Sequence, residues 1–214
     1  MATDESTLDW TNLPDDAKKF SLWSTLHDGD LTAIVSDLMA RTMTLEFDVA
    51  YVRAFHKLPA ETRFSIIVSG VQSVRSLRNV PWPGSCLIPD GTPYEQQQTI
   101  VAEYHSKWRE ESLSWTEFEQ LTHNDMEVST ALLVPGATGI ALHLGLMVES
   151  DSYVDAFIRG ENVAFSVGKQ LVTPKEFVAL GEAYWDAWSN KRQTQLDLHL
   201  LGYYDQKNPR AQCG

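Results

Sequence analysis

Basic residues are scarce in this chain of 214 residues, which carries 17 Lys and Arg against 29 Asp and Glu. The formal net charge is −12. Nucleic-acid binding depends on clustered Lys and Arg side chains that displace counterions from phosphates, and the sequence has no such cluster. We therefore expect no nucleic-acid partner. The same charge favours solubility, and it would steer a basic protein partner or a cationic ligand toward the surface.

Cysteine is also scarce, and Cys86 and Cys213 are the only two. Neither belongs to a C-x-x-C pair, so the spacing argues against a disulfide framework and a structural zinc site. Residues 1–5 are acidic and lack the apolar core of a secretory signal. No run approaches the roughly 20 apolar residues that a membrane span requires. We expect a cytoplasmic protein with free thiols and no membrane contact.

Catalytic motifs are the third absence. The sequence has no G-x-S-x-G elbow, and Cys86 has no predicted base nearby. The glycines of Pro135-Gly136-Ala137-Thr138-Gly139 are too few for a phosphate loop, so this segment is interpreted as a hairpin turn. The histidines show no pairing at the spacing of metal ligands on a helix. We therefore predict no catalytic residue, no cofactor and no metal, and a protein that leans toward a non-enzymatic role.

Two β-rich stretches, residues 21–80 and 128–172, show the alternation that is typical of half-buried strands. The first stretch has two alternating apolar sets, Leu31, Ala33 and Val35, then Met43, Leu45 and Phe47. Gly70 is expected to form a bulge between the strands that follow. In the second stretch, Arg159-Gly160-Glu161-Asn162 has the composition of a hairpin connection between the last two strands.

Helix-start signals precede three apolar-periodic segments, at Thr92-Pro93-Tyr94-Glu95, Ser114-Trp115-Thr116-Glu117 and Thr173-Pro174-Lys175-Glu176. Each combines a hydroxyl cap with a glutamate three residues later, as in a capping box. They predict helices within residues 92–123, the first an amphipathic helix reaching about Glu111, and another helix over residues 174–190.

The order of strands, helix, strands and helix predicts an α+β fold. We expect a largely antiparallel sheet, or two sheets, built from the two β-rich stretches and packed by two or three amphipathic helices. Residues 1–20 are assigned to an N-terminal arm, 21–204 to a single domain and 205–214 to a C-terminal tail. Whether the stretches form one sheet or two stays open at this stage.

The segment Leu26-His27-Asp28-Gly29-Asp30 gathers an imidazole and two carboxylates around a glycine. One interpretation is a pocket in which His27, Asp28 and Asp30 bind a small ligand or catalyse a hydrolysis. The favoured interpretation is structural: Asp28 and Gly29 form a tight turn, with Asp28 accepting local backbone N–H bonds. In that case His27 packs or hydrogen-bonds at the start of the strand.

Two further sets of side chains have alternative roles. His143 lies on an apolar predicted strand, where a core or interface histidine is favoured over a ligand. Tyr184, Trp185 and Trp188 form one broad aromatic face of the last helix. Core packing is the favoured role for this face, and a surface for a partner protein is the alternative.

The first β-rich stretch opens with Trp23-x-x-Leu26-His27-Asp28-Gly29-x-Leu31-x-x-Ile34, followed by Thr42-x-x-Leu45-x-Phe47-Asp48. This pattern resembles the opening of uncharacterised bacterial α+β families, some of which look like immunity proteins of toxin systems. The resemblance covers about residues 22–75. It implies an acidic, single-domain, cytoplasmic protein without catalytic residues.

Taken together, these observations favour a non-enzymatic protein that works through protein contacts, of immunity type or regulatory, with a basic partner. A small-ligand binder or hydrolase built on His27, Asp28 and Asp30 is the alternative. A homo-oligomer formed by pairing of exposed strand edges is a third hypothesis.

Overall fold

The computed structural model describes residues 20–37, 39–80, 86–121, 126–136, 139–148 and 152–190. Within these residues, eleven strands form one antiparallel sheet and five helices accompany it. The predicted α+β class with an antiparallel sheet is confirmed, and the sheet dominates the fold. Residues 1–19 of the expected N-terminal arm, the whole expected tail and the end of the expected domain, residues 191–204, lie outside the described residues.

Eleven strands and five helices follow one another along the described parts of the chain. The strands are β1 (Phe20–Ser21), β2 (Asp30–Asp37), β3 (Thr42–Asp48), β4 (Phe64–Ser69), β5 (Ser73–Val80), β6 (Arg109–Leu113), β7 (Met126–Gly136), β8 (Gly139–Val148), β9 (Ser152–Gly160), β10 (Asn162–Val167) and β11 (Gln170–Val172). The helices are α1 (Trp23–Leu26), α2 (Ala50–Phe55), α3 (Tyr94–His105), α4 (Trp115–Leu121) and α5 (Pro174–Ser189).

The strand order is β11-β10-β4-β3-β2-β7-β8-β9-β5-β6, with β1 paired to β7. The chain passes from β4 into β5 through Gly70, whose φ is 61°. β4 pairs with β3 and β10, whereas β5 pairs with β9 and β6, so the chain leaves one part of the ladder at β4 and joins another at β5. The path of paired strands is open, with β11 and β6 at its ends, and the buried side chains of the sheet and helices share one hydrophobic core.

The predicted hairpin over residues 159–162 is wrong. β9 and β10 do not pair with each other: β9 pairs with β5, and β10 pairs with β4. Only Glu161 separates the two strands, and a two-residue loop is the shortest common hairpin connection. The chain therefore bends at Gly160, and its pairing partner changes there from β5 to β4. By contrast, β7 and β8 form the hairpin expected around Pro135–Gly139, and their last paired residues are Gly136 and Gly139.

The predicted alternation is correct in β3 and only partly correct in β2. Met43 is buried, and so are the other two predicted residues of β3. In β2, the register shifts between Leu31 and Ala33, as a β-bulge does. The bulge changes the face on which the following residues lie, so Ile34 packs against the core and Val35 is 59% exposed. Periodicity alone does not show where an extra residue enters a strand.

The helix predicted to reach Glu111 is also corrected. α3 ends at His105 and buries none of its residues, and Arg109–Leu113 form β6, which pairs with β5. Pairing with an open strand edge overrides the local helical pattern, since a ladder of backbone hydrogen bonds replaces the helical ones. Thr92 does not cap α3: its hydroxyl donates to the carbonyl oxygen of Pro89 at 2.6 Å.

Capping boxes do begin α4 and α5. Ser114 and Glu117 exchange side-chain and backbone hydrogen bonds at the start of α4. At the start of α5, the Thr173 hydroxyl accepts from the Glu176 backbone N–H, and the Glu176 carboxylate accepts from the Thr173 backbone N–H. These hydrogen bonds, the backbone one first, lower the pKa of Glu176 below its ordinary value of 4.5.

We expect the stability advantage of wild type over Glu176→Gln to depend on pH. Gln preserves the box geometry and removes only the charge. Because the folded-state pKa is depressed, this stabilisation is fully present above pH 4.5 and is lost as the pH falls through the folded-state value. Thermal unfolding of both proteins from neutral to acid pH tests this. The difference should shrink on acidification, and Glu182→Gln, an exposed change on the same helix, controls for the loss of one negative charge.

No helix among the described residues is long and apolar enough to cross a membrane.

Candidate functional site

The His-Asp-Gly segment forms the turn between α1 and β2. The backbone N–H of Gly29 donates to the carbonyl oxygen of Leu26 at 2.9 Å, and Asp28 has a positive φ of 57°. The turn is tied to β7 by two hydrogen bonds. Asp28 N–H donates to Val128 O at 3.1 Å, and Val128 N–H donates to Gly29 O at 2.8 Å. The segment thus extends the β2–β7 ladder by its backbone.

Close contacts leave no room for a side chain at Gly29. A Cβ at this position would lie 2.9 Å from the Leu26 carbonyl oxygen and 2.9 Å from Val49 Cγ2. Aspartate is one of the few residue types that adopt a left-handed backbone conformation with little strain, as Asp28 does here. The backbone therefore explains why an aspartate and a glycine follow His27, without reference to catalysis.

His27 is held by an aromatic ring and a carboxylate. Its ring stacks on Trp23 with 4.3 Å between centroids. Its Nε2 lies 3.2 Å from Asp28 Oδ1, so the carboxylate contacts the imidazole. Within the described residues, Asp28 accepts none of the backbone N–H groups expected from the sequence. The His27 Nδ1 atom is buried and has no hydrogen-bond partner among the described residues. The imidazole is therefore fixed in place, with one polar atom unsatisfied.

α5 brings Trp185 to the same place. Its Nε1–H donates to the Ser24 carbonyl oxygen at 2.8 Å. Its ring lies 5.5 Å from that of Trp23 and 6.1 Å from that of His27, measured between centroids. We call Trp23, His27, Asp28 and Trp185 the aromatic patch. The patch brings His27 and Asp28 of the turn together with Trp185 of the aromatic face of α5.

The other aromatic residues of α5 lie beneath or beside the patch. Tyr184 is 4% exposed and packs on Tyr51, with 4.5 Å between ring centroids, so it belongs to the core. Trp188 is half-buried, 6.2 Å from Tyr184. Trp185 is also half-buried, whereas Trp23 is 39% exposed. The predicted aromatic face is therefore divided between core and surface.

A close approach of α1 and α5 fixes the patch. The Thr25 hydroxyl donates to the Phe177 carbonyl oxygen at 2.7 Å and accepts from the Gly181 N–H at 3.2 Å. A Cβ at Gly181 would lie 1.9 Å from the Ser24 carbonyl oxygen. Since only glycine permits this distance, Gly181 sets how near Trp185 comes to Trp23.

Asp30 takes a different position from His27 and Asp28. It is the first residue of β2, and its register partners are Asp48 on β3 and Glu127 on β7. Asp48 in turn forms ion pairs with Arg53 and Arg63. No group of three or more His, Cys, Asp and Glu in the described part of the chain could hold a metal ion.

His143 is satisfied within the sheet. Its Nε2 lies 2.7 Å from Asp155 Oδ1, and its ring stacks on Phe157 with 4.6 Å between centroids. The other Asp155 oxygen accepts from Asn79 Nδ2 at 3.1 Å. This is the structural role that the sequence favoured for His143.

A cavity of about 220 Å³ lies at the far end of β2 from the His27 turn. Its lining comes from the β2–β3 connection, the start of β5 and the junction of β6 with α4, and it does not include His27, Asp28 or Asp30. No sequence pattern indicates this cavity, because its walls come from segments far apart in the chain. Trp23 was identified only through the family pattern, although its spacing of four residues from His27 signals contact on a helix.

Comparisons with known proteins give no relative. No protein-family model, curated protein or solved structure matches the chain.

Proposed function

We propose that this chain is a non-enzymatic protein that acts through protein contacts made by the aromatic patch. The observation that carries the proposal is the exposure of Trp23, at 39%, in a stack with His27 and Trp185. Large aromatic rings that are held in place and still reach solvent supply much of the binding energy of protein interfaces. The resemblance of the first β-rich stretch to immunity-type families supports a regulatory or immunity role in a bacterial cytoplasm.

A basic segment is the partner that suits this surface. Asp28 lies beside the rings, its side chain is 37% exposed, and the whole chain carries a net charge of −12. An arginine guanidinium can stack on an indole face while it donates to a neighbouring carboxylate. The long-range field would speed the encounter, and the local contacts would hold the complex.

The first test identifies the partner by photocrosslinking from a defined position in the chain. A photoreactive residue is placed at Trp23 in one protein and at Tyr94, which is 73% exposed on α3, in a control. Both proteins are irradiated in cells that naturally produce the chain. We expect one basic protein to be crosslinked at position 23 and not at position 94. Equal crosslinking at both positions, or free monomer alone in native mass spectra, contradicts the proposal.

Trp23→Ala should weaken binding of that partner by about thirtyfold, the effect of losing an interface hot spot. Folding should be retained, since the Trp23 ring is partly in solvent. Titration calorimetry with the identified partner measures the change in affinity, and Tyr94→Ala serves as the matched aromatic control. If Trp23→Ala binds as tightly as wild type, the patch is not the interface.

Asp28→Asn tests the charge of the partner. Asn tolerates the left-handed backbone at this position, so the turn should remain intact. We expect the dissociation constant to rise up to about fivefold, because an exposed ion pair contributes little, and we expect a weaker dependence on salt. Asp90→Asn, an exposed change outside the patch, controls for net charge. An unchanged salt dependence in Asp28→Asn would rule out a cation at this carboxylate.

The third hypothesis, a homo-oligomer, is tested by sedimentation at several protein concentrations. The proposed function expects a monomer in the absence of the partner. A stable dimer that Trp23→Ala dissociates would instead assign the patch to self-association.

A further inference from the structure

The cavity at the far end of β2 has an apolar floor. Met43, Val74, Leu113 and Trp115 contribute to it, and Met43 is 3% exposed. Its volume of about 220 Å³ exceeds the roughly 150 Å³ of an engineered apolar cavity that accommodates benzene. The space therefore fits a single ring or a branched aliphatic group with a short polar extension.

A buried hydroxyl in the cavity wall is weakly satisfied. Ser76 is 3% exposed, and its Oγ reaches the Leu113 carbonyl oxygen only at 3.5 Å, the outer limit of a hydrogen bond. Buried hydroxyl groups usually have a closer partner. A polar ligand atom or a water molecule in the cavity would supply one.

The charge of Arg41 at the rim is already compensated. Its Nε donates to Val71 O and its Nη2 to Gly70 O, both at 3.2 Å, and Nη2 lies 3.3 Å from the Glu161 carboxylate. These contacts fix the guanidinium as a brace between β3 and the bend that follows β4. The rim therefore presents little free positive charge.

Asp37 supplies the uncompensated charge. Its Oδ1 accepts the backbone N–H groups of Met39 and Ala40, each at 2.9 Å. In the described part of the chain its Oδ2 makes no hydrogen bond or ion pair, and Asp37 lines the cavity. Glu119 stands close by, since its Oε1 accepts from the hydroxyl of Ser36, another lining residue, at 3.1 Å. Because Glu161 balances Arg41, the Asp37 carboxylate leaves the rim net negative, in a chain that is itself acidic.

We propose that this cavity binds a small amine with an apolar body. The apolar body occupies the floor, and the ammonium group binds Asp37 Oδ2 at the rim. The indole of Trp115 adds a favourable surface, because indole is the side chain that attracts cations best. Charge complementarity selects an amine over a carboxylate of the same shape. This site is separate from the aromatic patch and does not depend on the proposed function.

The test uses three probes that share a phenyl ring and differ in the head group: phenethylamine, phenethyl alcohol and hydrocinnamate. The readout is the NMR signal of methionine methyl groups. Met43 lines the cavity, whereas Met126 is fully buried and is not a lining residue, so it serves as an internal reference. We expect phenethylamine to shift the Met43 signal saturably at millimolar concentrations and to leave the Met126 signal unchanged.

The head-group comparison decides the charge assignment. We expect hydrocinnamate to bind about tenfold more weakly than phenethylamine, because attraction to the rim becomes repulsion. Asp37→Asn should lower the affinity for the amine about threefold to fivefold. Asn still accepts the two backbone N–H groups through its carbonyl oxygen, so the turn should survive. Asp90→Asn should change nothing.

Two results would overturn the proposal. No saturable shift of Met43 with phenethylamine would exclude a ligand cavity. Binding of the alcohol or the carboxylate as tight as that of the amine would exclude recognition of a cation. Trp23→Ala should leave amine binding unchanged, which separates this site from the protein-binding patch.

Discussion

Gly181→Ala should destabilise the protein by about 3 kcal/mol, because the added methyl group meets backbone atoms that cannot move aside. Its carbon would lie 1.9 Å from Ser24 O and 2.4 Å from Thr25 N. Alanine is the better helix former by about 1 kcal/mol, which opposes the effect. The clash outweighs that gain, since relieving it requires α5 to separate from α1. Separation also breaks the hydrogen bond from Gly181 N–H to Thr25 Oγ1.

Chemical denaturation with far-UV circular dichroism measures the loss of stability, and near-UV circular dichroism reports the displaced tryptophans. Gly91→Ala is the matched control. No heavy atom of the described residues lies within 4 Å of a Cβ at Gly91, so within that part of the chain only its φ of +80° opposes the change. That strain costs about 1–2 kcal/mol. Equal stability of Gly181→Ala and wild type would show that the two helices are not in such close contact.

Phe177→Ala should cost about 3–5 kcal/mol, the range for truncation of a fully buried phenylalanine. Phe177 is completely buried, and its ring packs on Phe165 and Phe64, with centroid distances of 4.9 Å and 6.3 Å. It packs the first turn of α5 against β4 and β10. Its loss leaves a cavity between the helix and β10, which the surrounding strands fill only partly.

The control for this variant is Leu171→Ala. Leu171 lies close in sequence but is 69% exposed, so its truncation should change stability by no more than about 0.5 kcal/mol. Denaturant midpoints of the two variants, compared at constant m-value, give the difference. A loss below about 1 kcal/mol in Phe177→Ala would mean that α5 is not anchored through this ring.

Both variants bear on function because α5 positions Trp185 in the aromatic patch. A partner that binds the patch should lose affinity in Gly181→Ala and Phe177→Ala together with stability. Trp23→Ala separates the two effects, since Trp23 is partly exposed and contributes to the surface more than to the core.

Local chemistry was readable in the sequence where neighbouring residues decide the outcome. The capping box at Thr173, the alternation of Met43, Leu45 and Phe47, and the hairpin around Pro135–Gly139 all depend on contacts within a few residues or on one repeating period. Such interactions have the same geometry in any fold, which is why their residue patterns predict them.

Tertiary structure decided the features in which distant segments compete or meet. The bulge in β2 depends on register with β3, and β6 replaces the end of a predicted helix because β5 offers an open edge. The chain bends at Gly160 because β4 and β5 are both available as partners. These outcomes depend on long-range hydrogen bonds and packing, which leave no mark in the local pattern.

The Leu26–Asp30 segment depends on both local sequence and tertiary contacts. The sequence by itself determined a turn that starts a strand, because Asp28 and Gly29 suit that backbone. Only the tertiary structure brought Trp185 against His27 and Trp23, through the close approach that Gly181 permits. It also placed the cavity at the opposite end of β2, between segments that no sequence motif connects. Surfaces and cavities arise from packing between elements, so their chemistry becomes visible only once the elements are assembled.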